Sequence, residues 1–180
     1  MGITIAVVML AAAAAAPQAN AATSASASIR QDYRTVRDYV LRSADEMPAG
    51  KYSFRPTPDV RTFAQQVAHI ADDQYNLCAP ARGETRQAAY RAIETSTSTK
   101  PALIEALTKA FAYCDTTYDQ LTDASGAEPT SNQSRTRFGM LNWNLWHTRE
   151  HYGNIVVYLR LNGLVPPSSA SGPSKPTGRD

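Results

Sequence analysis

Residues 137–163 read RFGMLNWNLWHTREHYGNIVVYLRLNG, and the fold turns on that stretch. Met140, Asn144, His147, His151, Asn154 and Tyr158 follow one another in steps of four and three, so they share one face of a helix. A polar group buried there without a partner costs roughly 1–3 kcal/mol, and this face carries several. The spacing therefore predicts a helix from Arg137 to Gly163 whose inward face is polar because something polar meets it. Gly163 suits a left-handed C-cap, and Pro166-Pro167 forbids continuation.

Toward the N-terminus the same periodicity recurs with apolar residues. Ile29, Tyr33, Val36, Val40, Ala44 and Met47 mark a first helix, stopped by Pro48-Ala49-Gly50. Asp59 is the expected N-cap of a second, with Phe63, Val67, Ile70, Gln74 and Leu77 in phase and Pro80 and Gly83 closing it. From Gly83 to Thr99 the chain is polar, with a helical turn or two at most around Arg86 to Ile93. Ser98 or Thr99 caps a third helix with Pro101 in its first turn, a stripe of Leu103, Leu107, Phe111, Cys114, Tyr118 and Leu121, and a stop at Gly126 and Pro129. No strand-like alternation appears. Four amphipathic helices bury their faces only against one another, so the expectation is all-α: a four-helix bundle over residues 28–167 with a long crossover between helices two and three.

The chain has 180 residues, a length for one domain, and 18 Lys and Arg against 16 Asp and Glu give a net charge of +2. That balance excludes a polycation bound to nucleic acid. Ile3 to Ala16 is apolar except for Thr4 and leads through Pro17 to Ala19-Asn20-Ala21, the small-x-small pattern of a cleavage site. The run is short of the roughly 18–20 apolar residues that span a bilayer, although no Lys or Arg precedes it as a signal peptide usually requires. Residues 1–21 are therefore expected to be a signal peptide, with a periplasmic or otherwise exported bacterial product and no stable membrane insertion after cleavage. Residues 168–180 hold Ser, Gly, Pro and charge without a hydrophobic face, and are expected to be a disordered tail.

His69, His147 and His151 are the three histidines of the chain. The last two lie four residues apart, about 40° around a helix, so their rings converge. His69, between Val67 and Ile70 on the second helix, can meet them across the bundle. Three imidazoles point to a divalent transition metal, Zn, Ni, Fe or Mn, with at least one coordination position open. The competing reading is an exposed helical pair and a hydrogen-bonded core histidine; the polar face of the fourth helix favours the metal, since a cation with solvent positions resolves the cost of burying that face, Asn144 included. His147-Thr148-Arg149-Glu150-His151 also fits the H-x-x-E-H pattern of inverted zincins, but their further acidic ligand has no counterpart, since Asp180 is the only acidic residue after His151. Glu150 either orients a ligand and takes a proton or faces solvent. Asp73 and the tyrosines are the other candidates for proton transfer.

Three blocks carry a family resemblance: Tyr52-Ser53-Phe54-Arg55-Pro56-Thr57-Pro58, Val67-Ala68-His69-Ile70-Ala71, and His147-Thr148-Arg149-Glu150-His151-Tyr152-Gly153-Asn154. Through them the sequence resembles the DinB-like family over roughly residues 29–167. The resemblance implies a four-helix bundle in which His69, His147 and His151 ligate a divalent metal. Members include thiol S-transferases, isomerases of thiol adducts and metal-dependent hydrolases, so it implies a metal-dependent hydrolase or transferase acting on a small molecule. The alternative is a non-catalytic metal or small-ligand binding protein of the cell envelope. A signal peptide sets this chain apart from cytosolic members whose thiol substrates live in reducing compartments. A homodimer is compatible with the reading.

Cys78 and Cys114 lie in phase with their apolar stripes, either as a disulfide, which an oxidising compartment allows, or as two buried thiols. Trp143 and Trp146 form a wall around the metal or pack in the bundle core. Arg55, Arg61, Arg135 and Arg137 either meet an acidic substrate or stay solvated.

Overall fold

The computed structural model describes residues 24–85, 93–96, 99–131 and 135–170. The expected signal peptide lies outside the described residues, as do residues 86–92 of the crossover and 171–180 of the expected tail. Among the described residues there are six helices and no strand: α1 (Ala25–Glu46), α2 (Phe63–Ala81), α3 (Ile93–Ser96), α4 (Lys100–Gln120), α5 (Asp123–Gly126) and α6 (Arg137–Leu161). The four long ones form the bundle, with α1 and α2 each packed against both α4 and α6. No described helix is long and apolar enough to cross a membrane.

The predicted stripes are the buried ones. Tyr33, Val36, Val40, Ala44 and Met47 are buried from the first helical segment, and Leu103, Leu107, Phe111, Cys114, Tyr118 and Leu121 from the third. Tyr33 and Tyr118 stack at the centre with ring centroids 3.7 Å apart, and their hydroxyls donate to the Phe111 carbonyl (3.2 Å) and the Leu141 carbonyl (2.7 Å). Each phenol thus buries its ring without stranding its oxygen.

Helix ends differ from expectation in four places. The cap of α2 is Thr62, not Asp59: its hydroxyl accepts from Gln65 N–H (3.2 Å) while the Gln65 side chain accepts from Thr62 N–H (2.9 Å). This reciprocal pair satisfies two otherwise free N–H groups, and a carboxylate three residues upstream has none to reach. Pro80 does not end α2 but sits in its last turn, where its lost N–H costs one bond, and Gly83 makes the turn at φ 81°. The third is α1, which starts at Ala25 on the Ser24 cap, and the fourth is α4, which ends at Gln120 instead of running to Gly126, because Thr122 caps the separate α5 that Gly126 closes.

The crossover carries α3, whose N-terminus is tied to the bundle by a side chain. Asp72 of α2 accepts from the N–H groups of Ile93 (3.3 Å) and Glu94 (3.0 Å). Cys78 and Cys114 form a disulfide between α2 and α4, with Cα atoms 5.5 Å apart, closing the loop that contains the crossover. At the other end of the chain, Pro167–Ser169 form a 3₁₀ turn against α1, and the Ser168 N–H donates to the Tyr152 hydroxyl (3.0 Å).

Candidate metal centre

The polar face of α6 divides into three parts with different surroundings. Near its N-terminal end, Asn144 and Thr148 are fully buried and meet Gln74 of α2. The Asn144 amide donates to Gln74 Oε1 (3.1 Å), Gln74 Nε2 donates to the Thr148 hydroxyl (3.1 Å), and that hydroxyl donates to the Asn144 carbonyl (2.8 Å). Asn144 therefore needs no cation, contrary to a reading in which one ion serves the whole face. Asn154 is exposed, and the Tyr158 hydroxyl donates to the Arg61 carbonyl (2.5 Å).

His147 and His151 occupy the stretch between. They meet His69, which α2 presents from the opposite side, and the ligand atoms of all three lie within 4.8 Å of one another. Nε2 of His147 and Nε2 of His151 are 3.0 Å apart. Two lone pairs facing each other at that distance repel unless a proton or a cation lies between them. Nitrogens each 2.0–2.1 Å from one ion would be about 3.0–3.4 Å apart, so the donor set fits a metal. The three histidines form a group able to hold an ion.

Burial pushes the His151 imidazole down to about 3, helped by His147, His69 and Arg61. Burial also lowers His147, against the pull of Asp73. At neutral pH both rings are therefore neutral and keep a lone pair, as ligation requires. On its other edge, His151 Nδ1 is 2.7 Å from the Gln66 amide.

Three carboxylates surround the rings. Asp73, four residues after His69 on α2, places Oδ2 3.0 Å from His69 Nε2 and 3.5 Å from His147 Nε2. Glu94 of α3 lies 3.4 Å from His69 Nδ1 and 2.8 Å from the Arg61 guanidinium, which itself reaches within 3.4 Å of that Nδ1. Asp72, behind them, has its carboxyl pushed up by burial, offset by the two α3 amides it accepts from. Two cavities flank the rings, one of about 360 Å³ beside His69 and His147 and one of about 640 Å³ beside His151, and Arg61 and Glu94 line both.

The residues singled out from sequence divide accordingly. His69, His147, His151, Asp73 and Arg61 come together. Glu150 is exposed on α6, and the carboxylates in reach of the imidazoles are Asp73 and Glu94 instead. Trp143 lines the smaller cavity at 36% exposure, with the Arg135 guanidinium 4.5 Å over its ring, and Trp146 is 58% exposed, so neither tryptophan is core. Arg137 pairs with Glu128 (3.1 Å), and Arg55 donates to the Pro58 carbonyl (3.2 Å). Sequence reasoning missed Gln66 and Glu94. Gln66 had a signal, because Gln66, His69 and Asp73 form a polar stripe in steps of three and four on α2. Glu94 had none, lying in the crossover.

The sequence profile of the DinB superfamily matches residues 32–155. A crystal structure of a DinB-like protein from Bacillus cereus shares the fold, with a TM-score of 0.67, 14% identity, and coverage of 81% of this chain and 97% of that one. No curated protein matches the sequence. The profile covers most of the bundle, from α1 to the turn of α6 beyond His151, and takes in all three histidines, so the chain belongs to the DinB superfamily.

Proposed function

We propose that the protein is an exported metal-dependent hydrolase or transferase, holding a divalent transition ion (Zn, Ni, Fe or Mn) on His69, His147 and His151 beside an open position for a small-molecule substrate. One observation carries the reading: three imidazole ligand atoms within 4.8 Å of one another, where two cavities of about 360 and 640 Å³ adjoin. When bound, such an ion supplies a Lewis acid at the cavity wall. The chain's own groups prepare the rest. Glu94, 3.4 Å from His69 Nδ1, would accept a proton held there and so leave Nε2 free as the donor atom. The Arg61 guanidinium offers charge-assisted donors to an anionic group in either cavity, and the Tyr158 hydroxyl anchors its backbone. The Cys78–Cys114 disulfide supports an oxidising, exported location for the protein.

Metal analysis of the purified, tag-free protein tests this. Near-stoichiometric divalent metal is expected, and His147→Ala abolishes it while the helical circular dichroism persists. Unchanged metal content in that variant would overturn the assignment. A non-catalytic binding protein of the cell envelope is the second reading, favoured by the exposure of Glu150. Hydrolysis of ester or phosphoester substrates, or thiol transfer, by the metal-loaded protein but not by His147→Ala decides against it.

A further inference from the structure

The histidine cluster has a fourth donor at its edge. Asp73 Oδ2 stands 3.0 Å from His69 Nε2 and 3.5 Å from His147 Nε2, and His147 Nε2 stands 3.0 Å from His151 Nε2. Neighbouring donors bound to one ion at about 2.1 Å are separated by about 3.0 Å at octahedral angles and 3.4 Å at tetrahedral ones. Two of the separations equal the octahedral edge, and the third, 3.5 Å, is close to the tetrahedral one.

The other carboxylates near the rings are already committed. Asp72 is held by the two N–H groups of α3, and Glu94 is engaged by Arg61 and by the Nδ1 edge of His69. In Asp73 the work is divided between the two oxygens. Oδ1 accepts from the Asn76 side-chain amide (3.2 Å), which fixes the carboxylate plane and leaves Oδ2 facing two Nε2 atoms. The side chain is 18% exposed, so its charge is largely withdrawn from water, and among the described residues no guanidinium or ammonium lies within ion-pairing distance. A divalent cation between Oδ2 and the ring nitrogens accounts for all three features.

We propose that Asp73 is a fourth protein ligand, making the centre a three-histidine, one-aspartate site. The inference rests on the metal reading above and narrows it. With four protein donors, a tetrahedral zinc is filled and closed, whereas an ion that takes five or six ligands keeps positions for substrate. The oxygen donor and the need for an open position together favour nickel, iron or manganese over zinc as the ion that supports turnover.

Cobalt(II) added to metal-free protein reads the coordination shell directly through its visible d–d absorption. Asp73→Asn is expected to change the band positions and intensity and to weaken cobalt binding by more than about 100-fold, beyond the 10–100-fold typical of an outer partner. Glu94→Gln, which meets Arg61 and the Nδ1 edge of His69 but neither Nε2 atom, is expected to weaken cobalt binding by no more than the 10–100-fold of an outer partner while the bands stay in place. Acetate added to Asp73→Ala restores the wild-type bands if the lost group is a ligand, and this variant decides the matter should Asp73→Asn lose its helical circular dichroism. An Asp73→Asn spectrum that superimposes on the wild type, or acetate that restores nothing, overturns the proposal and leaves the three-histidine reading standing. Wild-type protein that takes up no cobalt overturns both.

Discussion

The two nitrogens of His151 have different neighbours, and the difference decides which one is a ligand. Nε2 faces His147, while Nδ1 meets the Gln66 side-chain amide at 2.7 Å. A neutral imidazole carries one proton, so Nε2 is free to donate a lone pair only when the proton is on Nδ1. As placed, Gln66 Nε2 faces Nδ1; with the amide turned over so that Oε1 faces the ring, as a metal on Nε2 requires, Gln66 would accept that proton and lock the tautomer. Gln66→Met, close in volume but without an acceptor of that strength, is therefore expected to weaken metal affinity by about 10–100-fold in competition with a chelator, without loss of helical circular dichroism. Equal affinity would mean the tautomer is set elsewhere. The histidines themselves were legible in the sequence, since four-residue spacing on a helix is a local property. Their hydrogen-bond partners were not, because Gln66 is 85 residues from His151 in the chain.

Among the elements, α2 carries the most of the site, with His69, Gln66, Asp73 and Asp72 on one helix, and its start is set by Thr62. The Thr62–Gln65 reciprocal bonds fix where the first turn begins and hence the rotation at which those side chains leave the helix. Thr62→Ala is expected to cost about 1 kcal/mol in urea unfolding, whereas Asp59→Ala, at the position the sequence suggested, should stay within about 0.5 kcal/mol. The reverse order would restore Asp59 as the cap. Both sites offered a side chain of the capping class followed by a helical pattern. The choice depended on which residue turns out of the helix, and the preceding segment fixes that: Phe63 N–H bonds back to the Phe54 carbonyl (2.9 Å) and Ala64 N–H to that of Tyr52 (2.8 Å).

At the scale of the molecule, the disulfide joins α2 to α4 with a sequence separation of 36 and closes the loop holding α3. Constraining that loop in the unfolded chain stabilises the fold by roughly 2–4 kcal/mol. Thiol titration of the denatured, unreduced protein is expected to find no free thiol, and reduction is expected to lower the melting temperature. Two titratable thiols would remove the cross-link and with it the structural support for export. Because Glu94 belongs to the enclosed crossover, reduction should also loosen the carboxylate over His69. Faster exchange of the Ile93 and Glu94 amides, now held by Asp72, would report it.

The sequence by itself determined the four long helices, their buried stripes and the convergence of His147 with His151, because each follows from a period of 3.6 residues that needs no knowledge of the rest of the chain. It also determined that the inner face of α6 is polar. Only the tertiary structure decided what meets that face. Gln74 and Tyr118 serve Asn144, which the sequence had assigned to an ion, and the three imidazoles are left with Asp73, Glu94 and Gln66 around them. The same holds for the cysteines, whose 5.5 Å separation exists only once α2 and α4 are packed. Periodicity states which way a side chain points from its own helix. Which group it meets depends on how neighbouring helices are rotated and where the crossover returns, and residues far apart in the chain set both.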